Sequence, residues 1–280
     1  MGKTEEKNRR FAEPASDRSA PSSAVCWLSK AARQYIDSMS LMPVLTSLGQ
    51  HLPGTCQICA RWPAQPVCTA CSGRFAQPRP RCETCARPLH GPHPLCGACL
   101  SEKQPLALGC CLAAVDYGYP WDQLIARFKF RQEPALAQPL AALMLRDPKL
   151  SELLRQCDGI VPTPVATSRL AERGYNQAWE LVKALRRLSG PNCPPGWSNT
   201  LQRRGQAPDQ HNLPAQQRMN NLKDAFQVAP ADWPRVHGKH VLLIDDVSTT
   251  GATLRAAARA LREAGVSRVS AAVFARTADE

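Results

Sequence analysis

Two groupings of residues in this 280-residue chain have the types and spacing to do chemistry. In the first, the apolar run Val241–Ile244 ends in two adjacent carboxylates, Asp245 and Asp246, and the turn Ser248-Thr249-Thr250-Gly251-Ala252-Thr253 follows. Acids at a strand end offer oxygens that accept hydrogen bonds from sugar hydroxyls. A small, hydroxyl-rich turn that opens a helix offers backbone N–H groups, and helix N-termini bind anions. Side by side, acids and phosphate cradle suit a phosphorylated sugar. Gly251 lets the backbone approach such a ligand closely, and Thr249, Thr250 and Thr253 add hydroxyl donors. Alternation along a strand sends Asp245 and Asp246 to opposite faces. Both still sit at the carboxyl end, where open α/β sheets bind ligands. A strand end with solvated acids and a capping Thr is the competing reading, and it leaves most of the Val241–Thr253 pattern unexplained.

The second grouping is four knuckles: Cys56-x-x-Cys59, Cys68-x-x-Cys71, Cys82-x-x-Cys85 and Cys96-x-x-Cys99. The two-residue spacer lets both sulfurs of a knuckle face one ion, and eight thiolates suffice for two tetrahedral four-cysteine zinc sites. With sulfur in every position no coordination site stays open, so Zn2+ here is structural. Disulfides fit poorly with an N-terminus that shows no export signal. Consecutive pairing of knuckles, giving two successive ribbons, is favoured over an alternating cross-brace, which stays open. Cys110 and Cys111 lie in an apolar run and read as small buried hydrophobes. Cys26, Cys157 and Cys193 have no partner spacing and receive no role. Arg74, Arg79, Arg81 and Arg87 surround the knuckles, either to contact phosphates or as a solvated basic surface.

The elements that position these groups can be read coarsely. Residues 1–52 form an N-terminal extension, polar and rich in Ser, Ala and Pro in its first part and partly disordered. Ser29 to Gln50 has the pattern of a short amphipathic helix. Residues 53–104 carry the knuckles and few large aliphatics, so this double zinc ribbon needs metal as a staple. Residues 105–280 read as an α/β domain, a parallel sheet flanked by helices. Its predicted strands are Gly109–Tyr117, Asp158–Val161, His240–Val247 and Arg268–Phe274. Its predicted helices are Trp121–Arg131, Pro134–Leu145, Leu150–Gln156, one running from an N-cap at Ser168 to about Leu188, and Ala252–Ala264. Gly190 to Trp233 is long, polar and broken by Pro and Gly, as functional loops often are.

The formal charge is +12, so an anionic partner fits. Thiolates on Zn2+ would cancel the basic excess of the cysteine module and leave the charge mainly outside it. No stretch approaches the roughly 20 apolar residues of a membrane span, and no apolar signal region follows Met1. The expectation is a cytoplasmic protein.

The stretch Asp245-Asp246-Val-Ser-Thr249-Thr250-Gly251-Ala252-Thr253 resembles the phosphoribosyl-pyrophosphate (PRPP) motif of type I phosphoribosyltransferases. The resemblance implies that Asp245 and Asp246 bind the ribose hydroxyls and that the Ser248–Thr253 turn binds the 5′-phosphate. It also implies that Mg2+ accompanies PRPP. Arg173-Gly-Tyr-Asn-Gln177 after Val161-Pro-Thr-Pro164, together with the cysteine knuckles and the Gln210–Phe226 segment, is similar to the ComF family. From that resemblance pyrophosphate is expected near the Val161–Thr167 turn, with Arg169 or Arg173 beside it. Arg203, Arg204 and Arg218 would lie in a flexible hood. Competence-type DNA handling is the implied setting, with single-stranded DNA or DNA-uptake proteins as partners. A phosphoribosyltransferase with unknown acceptor, a DNA-uptake protein that binds PRPP without turnover and a PRPP-responsive regulator all remain open. Aromatic residues are only 6%, which weakens a dedicated single-strand binder.

Overall fold

A computed structural model describes residues 54–91, 93–102, 107–204 and 225–278. The extension, its Ser29–Gln50 helix and Arg218 lie outside the described residues. Four parallel strands make the main sheet: β1 (Cys110–Asp116), β2 (Gly159–Pro162), β5 (His240–Ser248) and β6 (Arg268–Arg276), in the order β1-β6-β5-β2. The two central strands are covered on both faces. Val241, Leu242, Leu243 and Ile244 are all fully buried, and β6 is buried from Val269 to Arg276. Continuous apolar runs of this kind mark strands of a covered parallel sheet. Truncating Leu243 to Ala would cost roughly 2–5 kcal/mol.

On one face pack helices Trp121–Phe130, Ala137–Met144, Pro148–Gln156 and Gln177–Ser189. On the other lies helix Ala252–Glu263, together with a small antiparallel ribbon of β3 (Leu201–Arg203) and β4 (Phe226–Val228). The long polar segment is therefore partly structured. Its stretch 195–197 runs along the outer edge of β2, where Ile160 N–H donates to the Pro195 carbonyl and Trp197 N–H to that of Ile160.

One expected helix is two. The chain forms Thr167–Arg173, stops at Gly174 with φ +79, and restarts as Gln177–Ser189. Ser168 lies inside the first helix, whose N-cap position is Ala166 with no side-chain cap. The Asn176 carboxamide accepts from the Ala178 and Trp179 amides and caps the second helix. Apolar periodicity runs through this break, but the left-handed glycine and the Asx cap override it.

The cysteine module is a tandem repeat at the level of geometry. Cys56-Gln-Ile-Cys59-Ala60-Arg61 and Cys82-Glu-Thr-Cys85-Ala86-Arg87 fold alike. Ala60 and Ala86 both adopt positive φ, 57° and 59°. Their amides donate back to Cys56 and Cys82, while Cys56 and Cys82 N–H donate forward to Arg61 and Arg87. The second knuckle of each unit opens a short helix, Thr69–Phe75 or Gly97–Leu100.

The module is fastened to the sheet domain by polar contacts. Arg79 and Arg81 both pair with Asp116 at the end of β1. Cys111 N–H donates to the Glu83 carbonyl, and Trp121 Nε1 donates to the Phe75 carbonyl at 2.9 Å. Two of the four arginines read as phosphate contacts or solvated charge therefore serve docking.

Candidate functional site

All four parallel strands point their carboxyl ends to one edge, and the proposed chemistry gathers there. Asp246 is 6% exposed. Its Oδ2 lies 2.9 Å from Lys129 Nζ, at the end of helix Trp121–Phe130. Its Oδ1 accepts from the Val247 amide at 2.8 Å. Asp245 turns to the opposite face, as strand alternation requires, and its Oδ1 accepts from the Asp246 amide at 2.9 Å. Burial, then the neighbouring Asp246 charge, push the Asp245 carboxyl up to about 7. The Thr163 hydroxyl, the Asp246 amide and Lys129 oppose that rise. The two acids thus differ: one is clamped by a cation, the other is poised to titrate near neutrality.

The turn follows directly. Ser248 is 4% exposed and its Oγ is buried without a hydrogen-bond partner. Gly251 has φ +76, and Thr250 Oγ1 accepts from the Ala252 amide at 3.3 Å. Gly251 sits at the N-cap of helix Ala252–Glu263 and supplies no side-chain cap, so the first-turn amides face the same edge as the acids. Thr249 and Thr250 are exposed, and Ala252 and Thr253 begin the helix.

Arg173 enters from the neighbouring strand's connection. It is 7% exposed, its Nη1 donates to Gln177 Oε1 at 3.2 Å, and its guanidinium lies 5.0 Å from the Phe130 ring. Its Nε is buried without a partner. The surrounding residues explain the Arg173–Gln177 sequence one by one. Gly174 turns the chain. The Tyr175 hydroxyl donates to the Phe128 carbonyl. Asn176 both caps the next helix and donates to the Thr163 carbonyl at 3.0 Å, which ties this segment to the end of β2. Gln177 holds the arginine. Arg203 lies over the Phe226 ring, close enough to Arg169 and Asp245 to feel both charges. A buried guanidinium with an open donor, a buried free hydroxyl and helix amides around two acids suit an anion attached to a polyol.

The knuckle sulfurs form two groups, Cys56, Cys59, Cys68 and Cys71, and Cys82, Cys85, Cys96 and Cys99, each within 4.8 Å. This is consecutive pairing. Burial raises the Cys56 and Cys82 thiols, but amides of the knuckles outweigh it and hold them at about 6 and about 7. Burial and neighbouring sulfurs push Cys71 up to about 12. A low first thiol and four converging sulfurs fit a thiolate-bound Zn2+. Cys111 is buried as expected and Cys110 is half-buried.

Sequence reading missed Lys129 and Arg276, and it named Gln177 only as part of the Arg173–Gln177 stretch, without its bond to the arginine. Lys129 sits at a helix end with no local signature. Arg276 is 0% exposed, and its Nε donates 3.1 Å to the carbonyl of Cys85, 191 positions away. Among the described residues no helix is long and apolar enough to cross a membrane.

Residues 200–280 match the phosphoribosyl transferase domain family. Competence protein F of Haemophilus influenzae is 36% identical over 166 residues, covering 57% of this chain and 69% of that protein. DNA utilization protein YhgH of Salmonella typhimurium is 32% identical over 230 residues, covering 80% and 91%. YhgH of Escherichia coli K12 is 31% identical over 234 residues, covering 81% and 98%. A solved glutamine PRPP amidotransferase from B. subtilis aligns with a TM-score of 0.31 at 17% identity, over 53% of this chain and 30% of that one. The parallel sheet flanked by helices, the domain match and the two four-cysteine groups together make this a phosphoribosyltransferase-like α/β fold preceded by a cysteine-rich module.

Proposed function

The chain belongs to the competence protein F (ComF) family, and from that premise we propose that it binds PRPP with Mg2+ and acts in DNA uptake. The observation that carries this reading is the meeting of Asp245 and Asp246 with the Ser248–Thr253 turn at one strand end. Ribose hydroxyls would donate to the two carboxylates. The 5′-phosphate would take the turn amides, the Ser248 Oγ and the hydroxyls of Thr249, Thr250 and Thr253. Pyrophosphate would lie against Arg173, whose Nε is buried without a hydrogen-bond partner. Asp245 and Asp246 present the hard oxygen donors that Mg2+ takes, directly or through the ribose hydroxyls they hold. When bound, the ion supplies charge neutralisation on ribose and pyrophosphate oxygens.

In transfer the bond from ribose C1 to pyrophosphate would break through an oxocarbenium-like state, pyrophosphate leaving with the electron pair, while an acceptor nucleophile bonds to C1 and gives up its proton. The chain's contribution is then positioning and electrostatics. The acids fix the ring, the turn fixes the phosphate, and Arg173 takes up charge on the leaving group. The eight knuckle thiolates would hold two structural Zn2+.

A second reading, DNA handling without turnover, draws on the ribbon surface. Trp62 is exposed, Tyr119 meets Phe75 edge to face, and Arg74 lies 5.1 Å over the Phe75 ring. Such rings stack bases regardless of sequence.

Calorimetric titration with PRPP and Mg2+, followed by pyrophosphate release across a panel of nucleobases, tests both. Saturable binding that survives Asp245→Ala with Asp246→Ala would sink the site. Binding without turnover on any base favours the second reading. Single-stranded DNA binding with a steep salt dependence would support it further.

A further inference from the structure

The last residue of β6 connects two places that the proposed function leaves separate. Arg276 is fully buried and stands opposite Ser248 in the ladder between β5 and β6. Its Nε donates to the Cys85 carbonyl at 3.1 Å, inside the second knuckle pair. Its Nη1 donates to the Ser248 carbonyl at 3.4 Å and to the Thr277 carbonyl at 2.6 Å. Ser248 also accepts from the Thr277 amide at 3.1 Å. One guanidinium therefore ties a cysteine of the second cluster to the residue from which the phosphate turn departs.

We propose that Arg276 is a positioning residue for the phosphate turn, and that through it the second cysteine cluster, not the first, sets affinity for the phosphosugar. The claim rests on the phosphosugar reading above. Three observations support it. A cleft lined by Cys85, Cys99, Ser248, Gly251 and Arg255 shows that the second cluster abuts the turn. The Glu83 carbonyl accepts from Cys111 on β1 at 2.8 Å, so the knuckle is held against the sheet on a second side. The first cluster instead reaches the domain through helix Thr69–Phe75 and Gln57, which meet Trp121 and Arg127 of helix Trp121–Phe130.

The physics is a rigid relay. Four thiolates on one Zn2+ carry roughly −2 in formal charge, and that charge favours a guanidinium beside the knuckle. Arg276 is planar, with donors in a fixed fork, so a shift of the Cys85 carbonyl moves its other contacts too. If the second cluster loses its metal, the knuckle loosens, the fork loses one anchor, and Ser248 keeps its ladder bond to Thr277 but loses the fixed guanidinium beside it. Its Oγ and the following amides then lose the alignment a phosphate needs. Linkage requires the reverse as well: phosphosugar binding must tighten the second cluster's hold on zinc by the same factor.

The test uses the full-length zinc-loaded chain, with melting curves to confirm folding. Cys99→Ser weakens the second cluster and Cys59→Ser the first, while Arg276→Lys keeps the charge and breaks the fork. PRPP affinity, measured with Mg2+, is expected to fall about fivefold or more in Cys99→Ser and Arg276→Lys. In Cys59→Ser it should stay within about twofold. In the unmodified protein PRPP should slow release of one zinc of two to a chromogenic chelator, and Arg276→Lys should remove that protection. Equal losses from the two cysteine substitutions, or no protection, would overturn the proposal. Should Cys99→Ser fail to fold, zinc protection and Arg276→Lys decide. Amide exchange at residues 248–254 without ligand separates the two ideas. Faster exchange in Arg276→Lys supports the relay even if PRPP does not bind, and unchanged exchange refutes it even if PRPP does.

Discussion

Lys129 Nζ sits 2.9 Å from Asp246 Oδ2, so a cation from helix Trp121–Phe130 holds one of the two strand-end acids. Both side chains are largely buried, and Lys129 also favours the charged form of Asp245. The ion pair therefore positions Asp246 and also bears on the charge of Asp245, beside the larger effect of burial.

Lys129→Met should raise the Asp245 carboxyl further. PRPP affinity, followed by calorimetry from pH 5.5 to 8.5, should then need higher pH to reach its plateau. An unshifted profile would mean that Lys129 does not act on this pair.

Asp245 itself gives a pH prediction with a definite sign. With its folded value raised to about 7, ribose-hydroxyl acceptance should strengthen as pH rises through 7. Affinity should gain about tenfold between pH 6 and pH 8. Stability runs the other way. A carboxyl raised on folding contributes stability below its unfolded value, and the contribution is lost as pH rises through about 7. Asp245→Asn should therefore melt higher than the parent at pH 8, with the gap closing toward pH 4.

Arg173 separates binding from folding. Its guanidinium is buried with an open Nε, so an apolar side chain of similar length removes a desolvation cost that offsets the lost bond to Gln177. Arg173→Met should keep or raise the melting temperature while weakening PRPP binding about tenfold or more. Arg173→Lys should not restore binding, because it lacks the fork. A melting loss matching the affinity loss would make Arg173 a packing residue only.

Gly251→Ala should damage the turn. The φ of +76 disfavours any Cβ, and the added carbon would stand 3.0 Å from Arg255 Nη1. The αL strain alone costs roughly 1–2 kcal/mol. Thermal melting should fall by a few degrees, and phosphate-dependent binding should fall more.

Metal removal should collapse the ribbon first. The buried apolar residues of the first unit are the cysteines themselves, with Ile58, Ala64, Val67 and Phe75 only packed around them. Elemental analysis should give about two Zn per chain. Chelation should make residues 54–102 protease-sensitive while helix Gln177–Ser189 stays protected. A ratio much below two would remove the double site.

What the sequence showed plainly was local. An apolar run ending in Asp245-Asp246 and a Gly251 turn are adjacent in the chain, and the knuckles declare themselves by spacing. What it hid depends on distance or on competition. Arg276 and Cys85 are far apart in the chain, so no window joins them. The break at Gly174 lies under an unbroken apolar period, and the glycine stop and the Asn176 cap are what override it. Lys129 looks like any solvated charge in the last turn of a helix until Asp246 is placed opposite. The pairing of β3 with β4 was missed because each contributes three residues, too few for alternation to register.

The strand order carries a lesson about assembly during synthesis. Among the described residues β1 pairs only with β6, and β6 follows every other strand in chain order. While the ribosome works, β1 and β2 therefore emerge with no sheet neighbour available between them. The ribbons and the helices made early must wait for the β5–β6 segment. Closure of the domain is thus a late, long-range event of the kind that folds slowly and leaves strand edges exposed in the interval. Removing β6 would strip β1 of its ladder and take Arg276 away with it, so truncation from this side should yield aggregation rather than a smaller working domain.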